Sequence, residues 1–251
     1  GWAIRSAFRH VALGLLLAVF ATQQLVARPS WASQERQQES ITLRDILSGD
    51  PVPANDRIAY GDHPLQFGDL RFPDSPGPWP VAVLIHGGCW SDIATLQYFD
   101  RVAVAITHLG IATWNIEYRP VDAEGGGWPN TFLDVAQGID KLRDIAVDYS
   151  LDLDHVITLG HSAGGHLALW AAARSRIYDD SDLYIPNPLP VTGVVSLAGI
   201  PELRRYRQID PPTCGPGIVD RLMGGGPRDF PGRYLSGSPF QMLPLNVPQR
   251  H

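Results

Sequence analysis

The chain has 251 residues, 44% hydrophobic and 18% charged, with 25 Gly and 22 Pro scattered without a period. Those fractions exclude a disordered or fibrous chain and fit one large α/β domain rather than two full-sized ones. The net charge of −6, with Lys and Arg unclustered, argues against a nucleic-acid-binding face.

Residues 1–32 read as a secretory signal peptide. Arg5, Arg9 and His10 form a basic start, residues 11–21 are an apolar run, and Ser30-Trp31-Ala32 sets small residues at the −3 and −1 positions of a cut. An uncleaved membrane anchor is the alternative. Eleven apolar residues span about 16 Å at ~1.5 Å each, short of the ~30 Å hydrocarbon core. The expected mature protein is therefore secreted or periplasmic and has no stable membrane span. Residues 33–56 form a polar leader, expected to become helical around 42–48.

From residue 57 onward the pattern is that of a folded domain, assigned to 57–251. Residues 57–60 and 65–72 alternate across a Gly61-Asp62 turn, as an antiparallel hairpin does. After a loop at 74–80, residues 81–85 (VAVLI) are a continuous apolar run of the buried-strand type. Helical spacing over 93–109 uses Leu96, Phe99, Val102, Val104 and Ile106, and Gly110 ends it. Residues 111–117 read as a strand and 125–129 as a Gly-rich loop. Residues 131–149 read as an amphipathic helix built on Phe132, Val135, Ile139, Leu142 and Ile145. A strand at 155–159, an Ala/Leu-rich helix at 162–174 and a strand at 191–198 follow. Strands alternating with helices predict an α/β fold with a mostly parallel, doubly wound sheet and helices on both faces. Residues 201–250 are Pro- and Gly-rich and aperiodic, and 201–245 are expected to form a lid or a surface crossover.

Gly160-His161-Ser162-Ala163-Gly164 fits G-x-S-x-G between an apolar strand and a helix. A sharp strand-to-helix turn strains the serine and points its hydroxyl out of the sheet. Gly160 and Gly164 remove side chains that would clash there. Ser162 is the expected nucleophile; a purely structural turn is the alternative. His86-Gly87-Gly88-Cys89-Trp90 follows the strand at 81–85 directly, and consecutive glycines let backbone N–H groups come close to a ligand. With the Ala163 N–H they could build an oxyanion hole, a plain Gly-Gly turn being the alternative; His86 and His161 are expected in support, and Trp90 as a wall of the substrate pocket or a tryptophan at the core rim. Cys89 and Cys214 allow one intramolecular bridge or two unpaired thiols, and their spacing does not decide between them. The chain carries no phosphate-binding G-x-x-x-x-G-K-[ST] and no His/Cys cluster with zinc spacing. No metal or other cofactor is expected.

The H-G-G-x-W and G-H-S-A-G-G motifs, with Glu117-Tyr118-Arg119 between them, resemble the α/β-hydrolase superfamily over roughly residues 57–248. The likeness is to its esterase branch, which includes kynurenine formamidases, feruloyl and acetyl-xylan esterases and hormone-sensitive-lipase-like enzymes. The resemblance implies Ser162 as nucleophile and backbone oxyanion donors from Gly87, Gly88, Cys89 and Ala163. It also implies a structural role for Arg119, Trp128, Pro129 and Asp134. The family orders its triad serine, acid, histidine. Here Asn246-Val247-Pro248 looks like the entry to the strand before the acid, and the chain ends at His251. His166 lies on the nucleophile helix, facing away from the base position. Asp210, Asp220 and Asp229 lie in the irregular segment. Neither the acid nor the histidine is identifiable, so the chain is expected to be a C-terminally truncated fold, its last strands and helix missing, with little activity and a tendency to aggregate; an unusual triad drawn from the lid is the alternative.

Three functions compete. The first is a secreted serine hydrolase of small carboxylic esters or N-formyl amides. The second is a prolyl-oligopeptidase-type peptidase fragment, which shares the serine bend. The third is a non-catalytic binding module on a hydrolase scaffold. The expected partner is a small-molecule ester or amide; the sequence leaves the oligomeric state open.

Overall fold

A computed structural model of the chain describes residues 44–45, 48–209, 213–245 and 247–250. The expected signal peptide and the leader up to residue 43 lie outside the described residues. Of the helix expected over 42–48, Arg44 and Asp45 are described and are helical.

The described residues form one seven-stranded sheet. Its strands are β1 (Asp56–Ala59), β2 (Phe67–Arg71), β3 (Trp79–Ile85), β4 (Ala112–Ile116), β5 (Leu151–His161), β6 (Gly193–Leu197) and β7 (Gln249–Arg250). Their order is β1-β2-β4-β3-β5-β6-β7. The β1–β2 and β2–β4 pairs are antiparallel and the others parallel. The expected hairpin thus forms an antiparallel margin on an otherwise parallel sheet, and 247–248 lead into β7. The chain runs from β3 to β4 on one side, then returns across β3 to β5 on the other. That reversal makes a topological switch point at the carboxyl ends of β3 and β5, where ligand sites of doubly wound sheets form.

Residues 81–85 are fully buried because both faces of β3 are covered. Ala82 and Leu84 pack with Phe99 and Ala103 on one face. Val81, Val83 and Ile85 join a larger core on the other. Helix α1 (Asp100–Thr107) belongs to the first face. Helices α2 (Asn130–Asp140), α3 (Leu142–Ile145) and α4 (Ala163–Ala173) supply Phe132, Val135, Ile139, Leu142, Leu167 and Trp170 to the second.

Two expected helices are shorter than their apolar spacing suggests. The one expected over 93–109 begins as a 3₁₀ turn at Leu96–Phe99 and becomes α-helical only at Asp100. The Leu96 N–H is taken by the buried Glu117 carboxylate at 2.9 Å, which sets the start of the turn. The helix expected over 131–149 is interrupted at Lys141, where the Asp144 N–H reaches back only three residues, and Ser150 closes the segment at φ +53°.

The segment expected as a lid or crossover holds α5 (Leu203–Ile209), α6 (Ile218–Met223) and α7 (Pro231–Gly237). Leu203, Ile218, Val219, Leu222, Met223 and Tyr234 are buried in the larger core, so the segment is a crossover built into the domain. Helices of six or seven residues make fewer than two turns, too few to leave a readable period.

One buried carboxylate fastens the hairpin, β4 and α2 together. Asp134 is fully buried and accepts from Arg119 Nε and Nη2 at 2.8 and 2.6 Å, from the Arg119 amide at 3.0 Å, and from Gln66 Nε2 at 2.7 Å. Truncating one partner of such a pair leaves the others buried and unpaired, which costs roughly 3–5 kcal/mol. Asp134→Ala is expected to lower the unfolding free energy in urea by about that amount, and Asp134→Asn, which keeps one acceptor, by less.

Candidate active site

β5 ends at His161 and α4 begins at Ala163, so Ser162 alone makes the turn, at φ +55° and ψ −119°. A non-glycine residue held there stores of order 1–3 kcal/mol of backbone strain. The surroundings over-determine it. The Ser162 N–H donates to the Leu197 carbonyl at 2.8 Å, and the Ser162 carbonyl accepts the His166 N–H at 3.0 Å. A Cβ on Gly164 would collide with the carbonyl oxygens of Ile85 and His86, and one on Gly160 with the backbone of Gly164. The first turn of α4 is therefore pressed against the ends of β3 and β5. A serine preceding a helix ordinarily caps it through Oγ. Ser162 makes no such bond, and its half-buried hydroxyl has no partner among the described residues.

Residues 86–90 turn back over this bend. A Cβ on Gly87 would lie 2.8 Å from the His161 carbonyl oxygen and 3.5 Å from Ser162 Cβ, so glycine is what lets the loop approach the serine. Gly88, Cys89 and Trp90 follow at φ +105°, +57° and +55°. Among the described residues the amides of Gly87, Gly88 and Cys89 donate to no backbone carbonyl. The Ala163 amide, first in its helix, has no intrahelical acceptor. The loop thus comes beside the serine at Gly87, near the positive, N-terminal end of α4.

Beneath the loop lies a buried contact between an imidazole and a carboxylate. His86 Nε2 meets Glu117 Oε1 at 2.7 Å and His86 Nδ1 meets the Gly87 carbonyl at 2.8 Å. The ring stacks on Tyr118 at 4.3 Å, and the Tyr118 hydroxyl donates to the His86 carbonyl at 2.9 Å. Burial opposes the Glu117 charge, yet the adjacent His86 ring and the N–H bonds from Leu96 and Tyr118 hold its pKa below the usual carboxylate value. These contacts occupy both ring nitrogens of His86 under the loop. Sequence reasoning gave Glu117 no site role. The Glu117-Tyr118-Arg119 triplet was the only trace of it, and nothing in its spacing points to residue 86.

Of its two expected places, Trp90 takes the one in the core. Its ring is fully buried and donates through Nε1 to His166 Nδ1 at 3.1 Å, so it supports the loop from behind and does not wall an open pocket. The apolar ring needed a partner for its N–H, and His166 supplies it inside the core. His166 Nε2 donates in turn to the Gly237 carbonyl at 2.8 Å, and one helical turn on, Trp170 Nε1 donates to the Ser236 carbonyl at 2.9 Å. Burial, partly opposed by the bond to Gly237, pushes the His166 pKa down to about 4. The neutral ring, one nitrogen donating and one accepting, satisfies both neighbours.

His161 packs on the other side of the bend. Its Nδ1 lies 2.8 Å from the Tyr98 hydroxyl, and the rings stack at 5.7 Å. Tyr98 was read only as part of a helix. Cys89 and Cys214 form a disulfide, 125 residues apart in sequence, which settles the open cysteine question. None of these described histidines hydrogen-bonds the Ser162 hydroxyl. Asp220 is bound by Arg207 and Tyr234. His251 and Asp210 lie outside the described residues. Among the described residues no group of three or more His, Cys, Asp and Glu could hold a metal ion, and no helix is long and apolar enough to cross a membrane.

A family model described as BD-FAE matches residues 69–248. The esterase LipC of Mycobacterium tuberculosis is 32% identical over 201 residues, covering 76% of this chain and 48% of that protein. A probable isoprenylcysteine alpha-carbonyl methylesterase of Arabidopsis thaliana is 30% identical over 112 residues, covering 44% of this chain and 23% of its own length. The chain thus spans about half or less of these curated relatives. Among solved structures, an inhibited esterase B from Lactobacillus rhamnosis superposes with a TM-score of 0.65 at 21% identity, over 88% of this chain and 70% of that one. That likeness shows the α/β-hydrolase fold.

The His166 ring gives a pH signature. Its unfolded pKa is about 6.5, so between about 6.5 and 4 the unfolded chain binds a proton that the native one excludes. Native stability therefore rises with pH across that window and falls on acidification through it, by about 3 kcal/mol for this group. Urea unfolding from pH 7 to pH 4 is expected to show that component in the natural chain and to lack it in His166→Asn.

Proposed function

Because this chain belongs to the BD-FAE family, we propose that its strained serine serves ester hydrolysis: Ser162 attacks a small carboxylic ester and passes through an acyl-serine intermediate. The supporting observation is the uncapped Ser162 hydroxyl beside Gly87. In the first step Oγ bonds to the carbonyl carbon and loses its proton. The carbonyl oxygen becomes an oxyanion facing the amides of Gly87, Gly88, Cys89 and Ala163, and the alkoxide leaves, taking up a proton. In the second step water attacks the acyl-serine, releasing the acid and restoring the hydroxyl. Fixed donors aimed at the developing charge supply most of the acceleration, about 10²–10³-fold for a single one. The proton from Oγ needs an acceptor, and the described histidines near the bend are engaged elsewhere: His86 by Glu117, His161 by Tyr98, His166 by Gly237. That observation favours a second reading, a hydrolase scaffold that binds an ester without turning it over.

A fluorophosphonate probe separates the two. The expected result is covalent labelling at Ser162 in the natural chain and none in Ser162→Ala. A protein that binds ester but resists the probe would be the binding module. Among p-nitrophenyl acetate, an N-formyl amide and a peptide anilide, the acetate is expected to be cleaved fastest; preference for the anilide would favour a peptidase.

Export belongs to the same reading. The basic start and eleven-residue apolar run make residues 1–32 a cleaved signal. Protein recovered from the medium or periplasm is expected to begin at or near Ser33 on N-terminal sequencing. Recovery of the uncleaved chain in the membrane fraction would make the segment an anchor.

A further inference from the structure

We propose that the Cys89–Cys214 disulfide is a positioning element of the oxyanion loop and not merely a clamp on the fold. The inference rests on the reading of residues 87–89 as oxyanion donors. Each neighbour of Cys89 is held by its own contacts. The Gly88 carbonyl accepts the Ser91 amide and the Ser91 hydroxyl, both at 2.9 Å. The Trp90 carbonyl accepts the Val121 amide at 2.7 Å, and its ring is fixed on His166. The Cys89 amide donates to no backbone carbonyl among the described residues, and its backbone sits at φ +57°, where a non-glycine residue is strained. Its side chain is the remaining anchor, and that side chain is bonded to Cys214.

The far end of the bond is fixed. Cys214 precedes α6, whose Ile218, Val219 and Leu222 are buried in the core. The Tyr206 hydroxyl approaches Cys214 Sγ at 3.4 Å, and the Tyr206 ring stands edge-on to Trp90 at 6.0 Å. The crossover thus reaches the loop at two points, one covalent and one aromatic. A bond that only restrained the unfolded chain would stabilise the protein wherever it joined the loop. This one ends on a residue whose own amide is a proposed donor, so its loss displaces that donor as well.

The test is the rate at which a fluorophosphonate labels Ser162 in the full chain, since phosphonylation builds negative charge on an oxygen in the same position. Natural protein, Cys89→Ala, Cys214→Ala and the double variant are compared at a temperature where circular dichroism shows all of them folded. Losing an oxyanion donor costs about 10²–10³-fold; a displaced donor is expected to cost roughly ten- to a hundredfold. Each single variant should label that much more slowly, the double variant no more slowly than either single, and the reversible affinity for the probe should stay unchanged. Should the variants fail to fold, the natural protein is reduced instead. Dithiothreitol then becomes its cyclic disulfide while Cys89 and Cys214 become thiols, as mass spectrometry confirms. Labelling should slow on reduction and recover on reoxidation. Folded variants or reduced protein labelling at the natural rate would overturn the inference and leave the serine reading intact. An oxidised natural chain that never labels at Ser162 would overturn both.

Discussion

The left-handed backbone at Ser162 is the constraint from which the rest of the site follows. That conformation is unfavourable for any residue with a Cβ, so the structure must force it. It does so by crowding. The helix after the serine is pressed so closely against β3 and β5 that only glycine fits at 160 and 164, and the Ser162 amide is pinned to the end of β6. One strained residue thus ties three parallel strands and a helix to a common point, where the winding of the chain reverses. The hydroxyl is left uncapped, and the Gly87 approach brings the next loop against it.

The histidines around this point show how environment assigns a role. His86 faces a buried carboxylate and holds up a loop. His161 stacks on Tyr98. His166 is buried as a neutral ring, where it links the indole of Trp90 to a carbonyl in the crossover. Three imidazoles lie within a few residues of the serine in sequence or in space, yet each has partners that fix its ring. Proximity to a nucleophile does not make a base; a free nitrogen aimed at the hydroxyl does.

Much of this was legible in the residues alone. The 81–85 run reads as a strand because both its faces are covered, and the two glycine-bearing motifs mark the ends of adjacent strands. The bend at 162 could be inferred because its steric demand is local. What was illegible depends on contacts distant in sequence. Nothing near residue 117 reveals that its carboxylate lies under His86. Trp90 reads equally as a pocket wall or a core-rim residue because an exposed and a buried tryptophan are the same letter; its partner, 76 residues away, decides. The cysteine pairing was undecidable because separation along the chain carries no information about separation in space. The crossover helices left no period because they are too short, and Leu96 began its turn late because a distant carboxylate took its amide.

His166 and Trp170 sit one turn apart on α4 and bond to the successive carbonyls of Gly237 and Ser236. Two bonds at that spacing index the helix azimuthally: rotation by a single residue, about 100°, would break both. The helix that follows the serine is therefore phased by its far side, against a segment 66 to 71 residues downstream. What that segment offers the helix is two main-chain oxygens in register, not side-chain chemistry.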